Sequence, residues 1–288
     1  MSTLSGADTL ASGPGVQSFT TRDGRWRIST RKRPILKAEP IEEMHAKIGI
    51  PIPEMIFGEN YVAIEHIQSG TKVNFNAYDA LDRVSKTEEG MLQVAYSEEW
   101  KKDRQHQEGI KGVVKPFDWS YSTDFRGTTS SNDDLSWQQS SADDNPVRTD
   151  LLSRPDPILF FDEVVLYEDE LADNGIAMLS CKVRVMPERL LLLCRFFLRL
   201  DGVIVRVRDT RVYVEFATGR IIRQYTVKED SYDNMRNKLN TRRENVPEAL
   251  RDANLMASLL PVVDDITDFL DVANAGPVTT AAIRPKNQ

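Results

Sequence analysis

Residues 190–216 read LLLLCRFFLRLDGVIVRVRDTRVYVEF, two long β-prone runs joined by Asp201-Gly202. Asp-Gly between apolar runs is a strong hairpin signal, because a two-residue primed turn needs positive φ at both positions. The pattern predicts one strand over 190–200 and a second, antiparallel strand over 203–216.

A two-residue turn also fixes the register of this hairpin. Apolar residues would then share one face of the sheet, in the pairs Leu200 with Val203, Leu198 with Val205, and Phe196 with Val207. The opposite face would carry a basic ladder, made of Arg195, Arg199, Arg206 and Arg208. In this register Arg195 lies beside Arg208, and Asp209 follows just past the ladder.

The flanking sequence predicts more strands and then helices. Strands are expected over 158–166 and 176–186, and a third over 220–227 after the turn at Thr218-Gly219. Pro247 starts a helix, and Ile266 and Phe269 belong to a last short helix. Antiparallel strands followed by helices indicate an α+β fold, with a curved antiparallel β-sheet core and peripheral helices.

The N-terminal half adds shorter elements to this single domain. We expect a strand at 25–28, a helix over 40–48, a hairpin over 61–75, a helix capped by Asn76, and a further helix from Ser97. Residues 1–20 and 273–288 are predicted to be disordered tails, which leaves 21–272 as the domain. Residues 126–156 contain few apolar side chains that could be buried, and we expect a mobile loop there.

Composition excludes several classes of protein. The 288 residues are 40% hydrophobic and 28% charged, with no apolar run of membrane-spanning length and no basic, apolar start typical of a secretory signal. Two cysteines, Cys181 and Cys194, do not make a disulfide scaffold or a zinc site. The net charge of −7 disfavours general nucleic-acid binding.

No catalytic motif is present. Phosphate-binding loops, the GxSxG elbow and HExxH are absent, and the three histidines share no spacing typical of a metal site. We therefore expect no metal and no cofactor. Acids flank the strand near 162–170, at Asp162-Glu163 and at 168–170. A pair of carboxylates leaves a carboxylate-based hydrolase open as an alternative, beside a solvated acidic surface.

Charge is segregated along the chain. Residues 124–173 hold thirteen acids and three bases, whereas residues 182–223 hold ten bases and four acids. Arginines side by side on a sheet repel unless they are neutralised. The acidic strand 162–170 would neutralise them, or the arginines would dock a carboxylate-bearing peptide, or an RNA phosphate.

The aromatic segment 115–125 reads KPFDWSYSTDF. Its aromatic side chains either pack in the core or line a groove, in which Trp119 and Tyr121 would contact a peptide.

Several longer motifs carry a family resemblance. PEMIFGEN at 53–60, FNAYDAL at 75–81, KPFDWSYSTDFRGT at 115–128, FFDEVVLYEDEL at 160–171, KVRVMP at 182–187 and RFFLRLDGVIVRVRDTR at 195–211 closely resemble the TIPRL (TIP-forty-one-like) family. The resemblance covers about residues 25–230.

The resemblance implies a non-enzymatic regulator of TOR signalling. Members bind catalytic subunits of type 2A protein phosphatases and the related type 4 and type 6 enzymes, in a pathway with the alpha-four/Tap subunit. Four residues match family positions tied to phosphatase binding: Asp79, Val147, Val207 and Asp209. A cytoplasmic and also nuclear location is expected.

Overall fold

A computed structural model describes residues 13–86, 117–131, 135–140 and 147–272. Thirteen strands are found in these ranges: β1 Val16–Thr20, β2 Trp26–Arg31, β3 Met55–Ile56, β4 Tyr61–His66, β5 Thr71–Asn76, β6 Thr128–Ser130, β7 Gln138–Ser140, β8 Phe160–Asp169, β9 Gly175–Val185, β10 Arg189–Leu200, β11 Ile204–Glu215, β12 Arg220–Ser231 and β13 Val262–Asp271.

The described helices are short, and none is long and apolar enough to cross a membrane. They are α1 Ala38–Ile48, α2 Ala77–Asp82, α3 Thr149–Leu152, α4 Tyr232–Thr241, α5 Val246–Ala249 and α6 Ala253–Leu259. The helix expected from Ser97 lies outside the described residues.

The strands form two antiparallel sheets. One has the order β1-β2-β4-β5-β6, and the other has the order β3-β8-β9-β10-β11-β12-β13-β7. Both sheets contribute to one main core, with Trp26, Ile64 and Phe75 from the first and Leu192 and Phe196 from the second. This architecture confirms the α+β prediction and the antiparallel core.

The register of the central hairpin differs from the prediction by one residue. Leu200 pairs with Ile204, not with Val203, and Arg195 pairs with Asp209, not with Arg208. The loop has three residues, closed by the Val203 amide, which donates to the Leu200 carbonyl at 3.0 Å. Gly202, at φ 72°, supplies the left-handed residue that such a loop requires.

This shift turns β11 over relative to β10. Arg206 and Arg208 now share a face with Leu198 and Phe196, which we call the inner face because it carries the main core. Val205 and Val207 lie with Phe197 on the other side, which we call the helical face. There they form a second core under α4, α5 and α6. Two cores, one on each face, replace the single apolar face that the sequence predicted.

The structure differs from three further predictions made from the sequence. Residues 262–271 are strand β13 and not a helix, because they pair along β12 and place Asp268 and Asp271 against Arg223 and Arg220. Residues 16–20 form β1, so the predicted N-terminal tail is too long. The predicted loop 126–156 contains β6, β7 and α3, while its residues 132–134 and 141–146 lie outside the described ranges, as do residues 1–12 and 273–288.

The second core should contribute a large part of the stability. Phe197 is buried under the helices, whereas Phe161, on the same face of the sheet, is 56% exposed. We expect Phe197→Ala to lower the free energy of unfolding by about 3–5 kcal/mol, through lost burial and a residual cavity. Phe161→Ala, the matched control, should change it by less than about 0.5 kcal/mol. Urea denaturation measures both, and equal effects would contradict the second core.

Candidate functional site

Three of the motifs meet at one end of α2. Asn76 caps this helix, and its side-chain oxygen accepts a hydrogen bond from the Asp79 amide at 2.9 Å. The Asn76 amide group donates to the Asp79 carboxylate at 2.8 Å, and the hydroxyl of Thr128 donates to the same carboxylate oxygen. Thr210, on β11, donates to the carbonyl of Phe125 at 3.2 Å. FNAYDAL, STDFRGT and RVRDT are thereby joined in space.

The first two of these segments, together with Arg223 of β12, line a cleft of about 540 Å³. We call it the Asp79 cleft, and its lining residues are Asp79, Asp82, Arg83, Asp124, Phe125, Arg126, Gly127, Thr128 and Arg223. The lining is of mixed charge, because Arg83 follows the acids of α2 and Asp124 lies in the same segment as Arg126. Three acids and three arginines in one cleft suit a polar, charged segment of a protein partner better than an apolar ligand.

Gly127 shapes the floor of the Asp79 cleft. Its φ is 91°, in the region that favours glycine, and a Cβ placed there would lie 2.7 Å from the ring of Phe75. Phe75 is fully buried in the main core and also contacts the ring of Phe125. The chain can therefore pass close over the core only with glycine at this position.

The arginines of the Asp79 cleft are held by different partners. Arg83 makes two hydrogen bonds to Asp124, at 2.8 and 3.0 Å. Arg223 makes two to Asp268, at 2.9 and 2.6 Å. The guanidinium of Arg126 instead lies 4.3 Å from the centre of the Tyr225 ring, a cation–π contact that leaves its charge without a carboxylate in the described structure.

Asp124 is electrostatically the most perturbed acid of the cleft. Burial raises the pKa of its carboxyl, but the hydrogen bonds from Arg83 and the charges of Arg83, Arg126 and Arg208 outweigh burial and lower the pKa below the ordinary 3.8. The carboxylate is therefore charged at neutral pH and unsuited to act as a general acid.

The predicted arginine ladder does not exist as one surface. Arg195 and Arg199 lie on the helical face, and Arg206 and Arg208 lie on the inner face. Arg206 donates to Glu229 at 2.6 Å and to Ser122 at 2.9 Å, and Arg199 donates to Asp201 at 2.7 Å. Nearby acids neutralise Arg195, Arg199 and Arg206, whereas no ion pair of Arg208 is found among the described residues. The arginines therefore do not form the single docking face that was predicted, and strand 162–170 does not neutralise them.

Three of the acids in 162–170 have partners of their own, whereas no ion pair or side-chain hydrogen bond of Glu168 or Glu170 is found among the described residues. Asp162 is bound by the hydroxyl of Thr30 and the ammonium of Lys32, and Glu163 pairs with Lys182 at 3.0 Å. Asp169 accepts from the amides of Glu54 and Leu171. None of the acids in 162–170 lines the Asp79 cleft, so this cleft gives no support to the hydrolase alternative.

Asp209 is more deeply buried than Asp79, the other charged residue among the four that match family positions. It is 1% exposed, and Arg195 donates to both of its carboxylate oxygens at 2.7 Å. Arg195 also donates to the Ala253 carbonyl at 3.2 Å and to Asn254 at 2.8 Å. This ion pair ties α6 to the sheet, so Asp209 acts from inside the fold and not as a free contact.

The other predicted site residues are also separated. Val207 is fully buried in the second core, and Val147 precedes α3, away from the cleft lining. Trp119 and Tyr121 are each 7% exposed and pack in the main core, so they do not form a groove wall. Burial raises the pKa of the Tyr121 hydroxyl well above its ordinary value. Only Asp79 among the predicted residues lines the cleft.

Sequence reasoning missed the rest of the cleft. Asp124, Arg126 and Thr128 lie in the motif KPFDWSYSTDFRGT, so the sequence offered a reason to consider them. No sequence feature pointed to Arg223, because its place in the cleft depends on the pairing of β12 with β13. In the described ranges, no group of three or more His, Cys, Asp or Glu side chains could hold a metal ion. Most of the described arginines are in ion pairs, and the two exposed aromatic residues of the described structure, Tyr78 and Phe161, lie on separate elements and form no continuous aromatic platform, which speaks against the RNA-binding alternative.

Comparison with known proteins identifies the family to which this chain belongs. A model of the TIP41-like family matches residues 55–236. The chain is 38% identical over 248 residues to the TIP41-like protein of Homo sapiens, covering 86% of this chain and 87% of that protein. It is 40% identical over 255 residues to the type 2A phosphatase activator TIP41 of Saccharomyces cerevisiae, covering 83% and 70%. In Schizosaccharomyces pombe, the type 2A phosphatase activator tip41 is 34% identical over 212 residues, covering 72% and 81%. The chain belongs to the TIP41-like family.

The Arg195–Asp209 pair should be essential to the fold. Arg195→Ala leaves the Asp209 carboxylate buried without its main partner, and we expect a loss of about 3–5 kcal/mol in the free energy of unfolding. The double variant Arg195→Met with Asp209→Leu should recover most of this loss. Arg25→Ala, which breaks the exposed pair with Asp23, should cost less than about 1 kcal/mol. Urea denaturation of Arg195→Ala with no loss would contradict this account.

Acid titration tests the electrostatics of the cleft. Because the pKa of Asp124 is lower in the folded state than its unfolded 3.8, its contribution to stability is present above that pH and is lost as pH falls through the folded pKa. Arg83→Gln removes the main hydrogen-bond donor and should raise the Asp124 pKa. Carboxyl-carbon NMR titration measures this, with exposed Asp173 as the control. An unchanged Asp124 midpoint would show that Arg83 does not set it.

Proposed function

We propose that this protein regulates type 2A protein phosphatases by binding their catalytic subunit, without catalysis of its own. Two fungal relatives are named as type 2A phosphatase activators, and the match to each covers most of both chains. The proposal extends to the related type 4 and type 6 enzymes, to action with the alpha-four/Tap subunit, and to TOR signalling in the cytoplasm and the nucleus.

We assign the contact with the phosphatase to the Asp79 cleft. The observation that carries this assignment is the meeting of two distant motifs, FNAYDAL and STDFRGT, with Arg223 of β12 at one partly exposed, charged cleft. Asp79 uses one carboxylate oxygen for both Asn76 and Thr128, and no hydrogen bond to the other oxygen is found among the described residues. Tyr78, beside it, is 37% exposed. Tyrosine is enriched among the residues that anchor interfaces, and the second carboxylate oxygen of Asp79 can accept a hydrogen bond from a partner.

The charges of the cleft favour binding over chemistry. The Asp124 carboxylate is held charged by Arg83, and Arg223 is held by Asp268 and stacks 3.8 Å from the ring of Trp137. These contacts fix the arginine planes, so a partner binds to a surface that is already ordered. The three acids and three arginines of the lining would orient a charged partner segment.

Asp79→Asn tests this assignment. The substitution keeps the size of the side chain and an oxygen that can accept from Asn76 and Thr128, and the helix cap remains because Asn76 supplies it. We expect the affinity for a type 2A catalytic subunit to fall by about 10- to 100-fold, the usual cost of losing a charge-assisted hydrogen bond. Biolayer interferometry with the immobilised chain measures the dissociation constant.

The control is Asp173→Asn, an exposed aspartate at φ 63°, a conformation that asparagine tolerates. It removes the same charge far from the cleft in sequence and should leave the affinity unchanged. Equal affinity of Asp79→Asn and the unmodified chain would reject the cleft as the contact. Failure of the unmodified chain to bind any type 2A catalytic subunit would reject the function itself.

A further inference from the structure

A second cavity, of about 470 Å³, lies where the tip of the β10–β11 hairpin meets α4 and α5. Its charged lining comes from Arg199, Asp201, Arg236 and Arg251, and Pro247 and Leu250 add an apolar part. We call it the Arg236 cavity. The Arg236 cavity lies on the helical face of the sheet, because its lining residue Arg199 lies there. Arg223, which lines the Asp79 cleft, lies on the inner face. The sheet therefore separates the two sites.

The charges of the Arg236 cavity are not balanced. Arg199 is neutralised by Asp201, with its Nε 2.7 Å from a carboxylate oxygen. Arg236 and Arg251 are exposed, and neither is in an ion pair with a carboxylate of the described residues. The lining therefore holds two positive charges without counter-charge, in a chain whose net charge is −7. Two guanidinium groups at one cavity match an anion of two charges.

The apolar part of the lining limits the ligand further. Leu250 is 3% exposed and belongs to the second core, and Val246 packs against the same core. An isolated inorganic anion would use the arginines and leave this surface uncovered. A ligand with an anionic head beside an aliphatic group would use both parts of the cavity.

We propose that the Arg236 cavity binds a phosphorylated segment of a protein partner, with its phosphoryl group between Arg236 and Arg251 and a neighbouring aliphatic side chain against Pro247 and Leu250. A phosphoryl group carries between −1.5 and −2 charges at neutral pH, which neutralises both arginines, whereas one carboxylate neutralises only one. Its three oxygens also accept hydrogen bonds from two guanidinium groups at once. This site is independent of the proposed binding of the phosphatase catalytic subunit at the Asp79 cleft.

The test is an amide NMR titration of the full chain with a short peptide in which phosphoserine lies between leucines. We expect saturable shifts in the amides of 199–203, 232–240 and 246–251. Arg236→Ala and Arg251→Ala should each weaken binding about tenfold, the usual cost of one charge-assisted contact. Both residues are exposed, so the fold should not change. Arg22→Ala, an exposed arginine remote in sequence, is the matched control and should bind as the unmodified chain does.

Two comparison probes make each part of the proposal separately refutable. The unphosphorylated peptide should not bind, and equal binding would overturn the role of the phosphoryl group. Inorganic phosphate should bind more weakly than the phosphopeptide, and equal affinity would overturn the role of the apolar surface. Absence of saturable shifts, or shifts unaffected by both arginine variants, would overturn the site.

Discussion

The register of β10 against β11 is the constraint on which the rest of the structure depends. A three-residue loop places Asp209 opposite Arg195, where two hydrogen bonds of 2.7 Å join a buried carboxylate to its arginine. A slip of one residue would place Arg195 opposite Arg208 and leave two like charges together. The same register places Val205 and Val207 on the helical face and Arg206 and Arg208 on the inner face, which creates two cores instead of one.

Strand β11 links these two cores to the Asp79 cleft. On the inner face, Arg206 holds Ser122 and Thr210 holds the Phe125 carbonyl, so the strand fixes the segment that leads into the Asp79 cleft. On the helical face, Asp209 holds Arg195, which in turn holds α6. A change at Asp209 therefore reaches a partner through the stability of the fold, whereas a change at Asp79 acts at the surface.

The sequence predicts local features of this molecule well and long-range ones poorly. The strands from β8 to β12 and the Asn76 cap follow from alternation, turn residues and capping chemistry, which are local. The predicted hairpin register was wrong because Asp201-Gly202 suits both two- and three-residue loops. Only the packing on both faces of the sheet decides between the two loop lengths. Strand β13 was wrongly predicted to be a helix, because the contacts of its aspartates with the arginines of β12 form only in the folded chain. The cleft could not be derived from spacing, because Asp79, Asp124 and Arg223 meet only in the folded chain.

Hydrogen–deuterium exchange of the chain, alone and bound to a type 2A catalytic subunit, tests the central claim that the Asp79 cleft is the contact surface. The account predicts added protection in the complex over 77–83 and 124–128, the segments that form the cleft, and little change over 253–259, which the Arg195–Asp209 pair already holds in the free protein. Added protection confined to 253–259, with 77–83 and 124–128 unchanged, would contradict it.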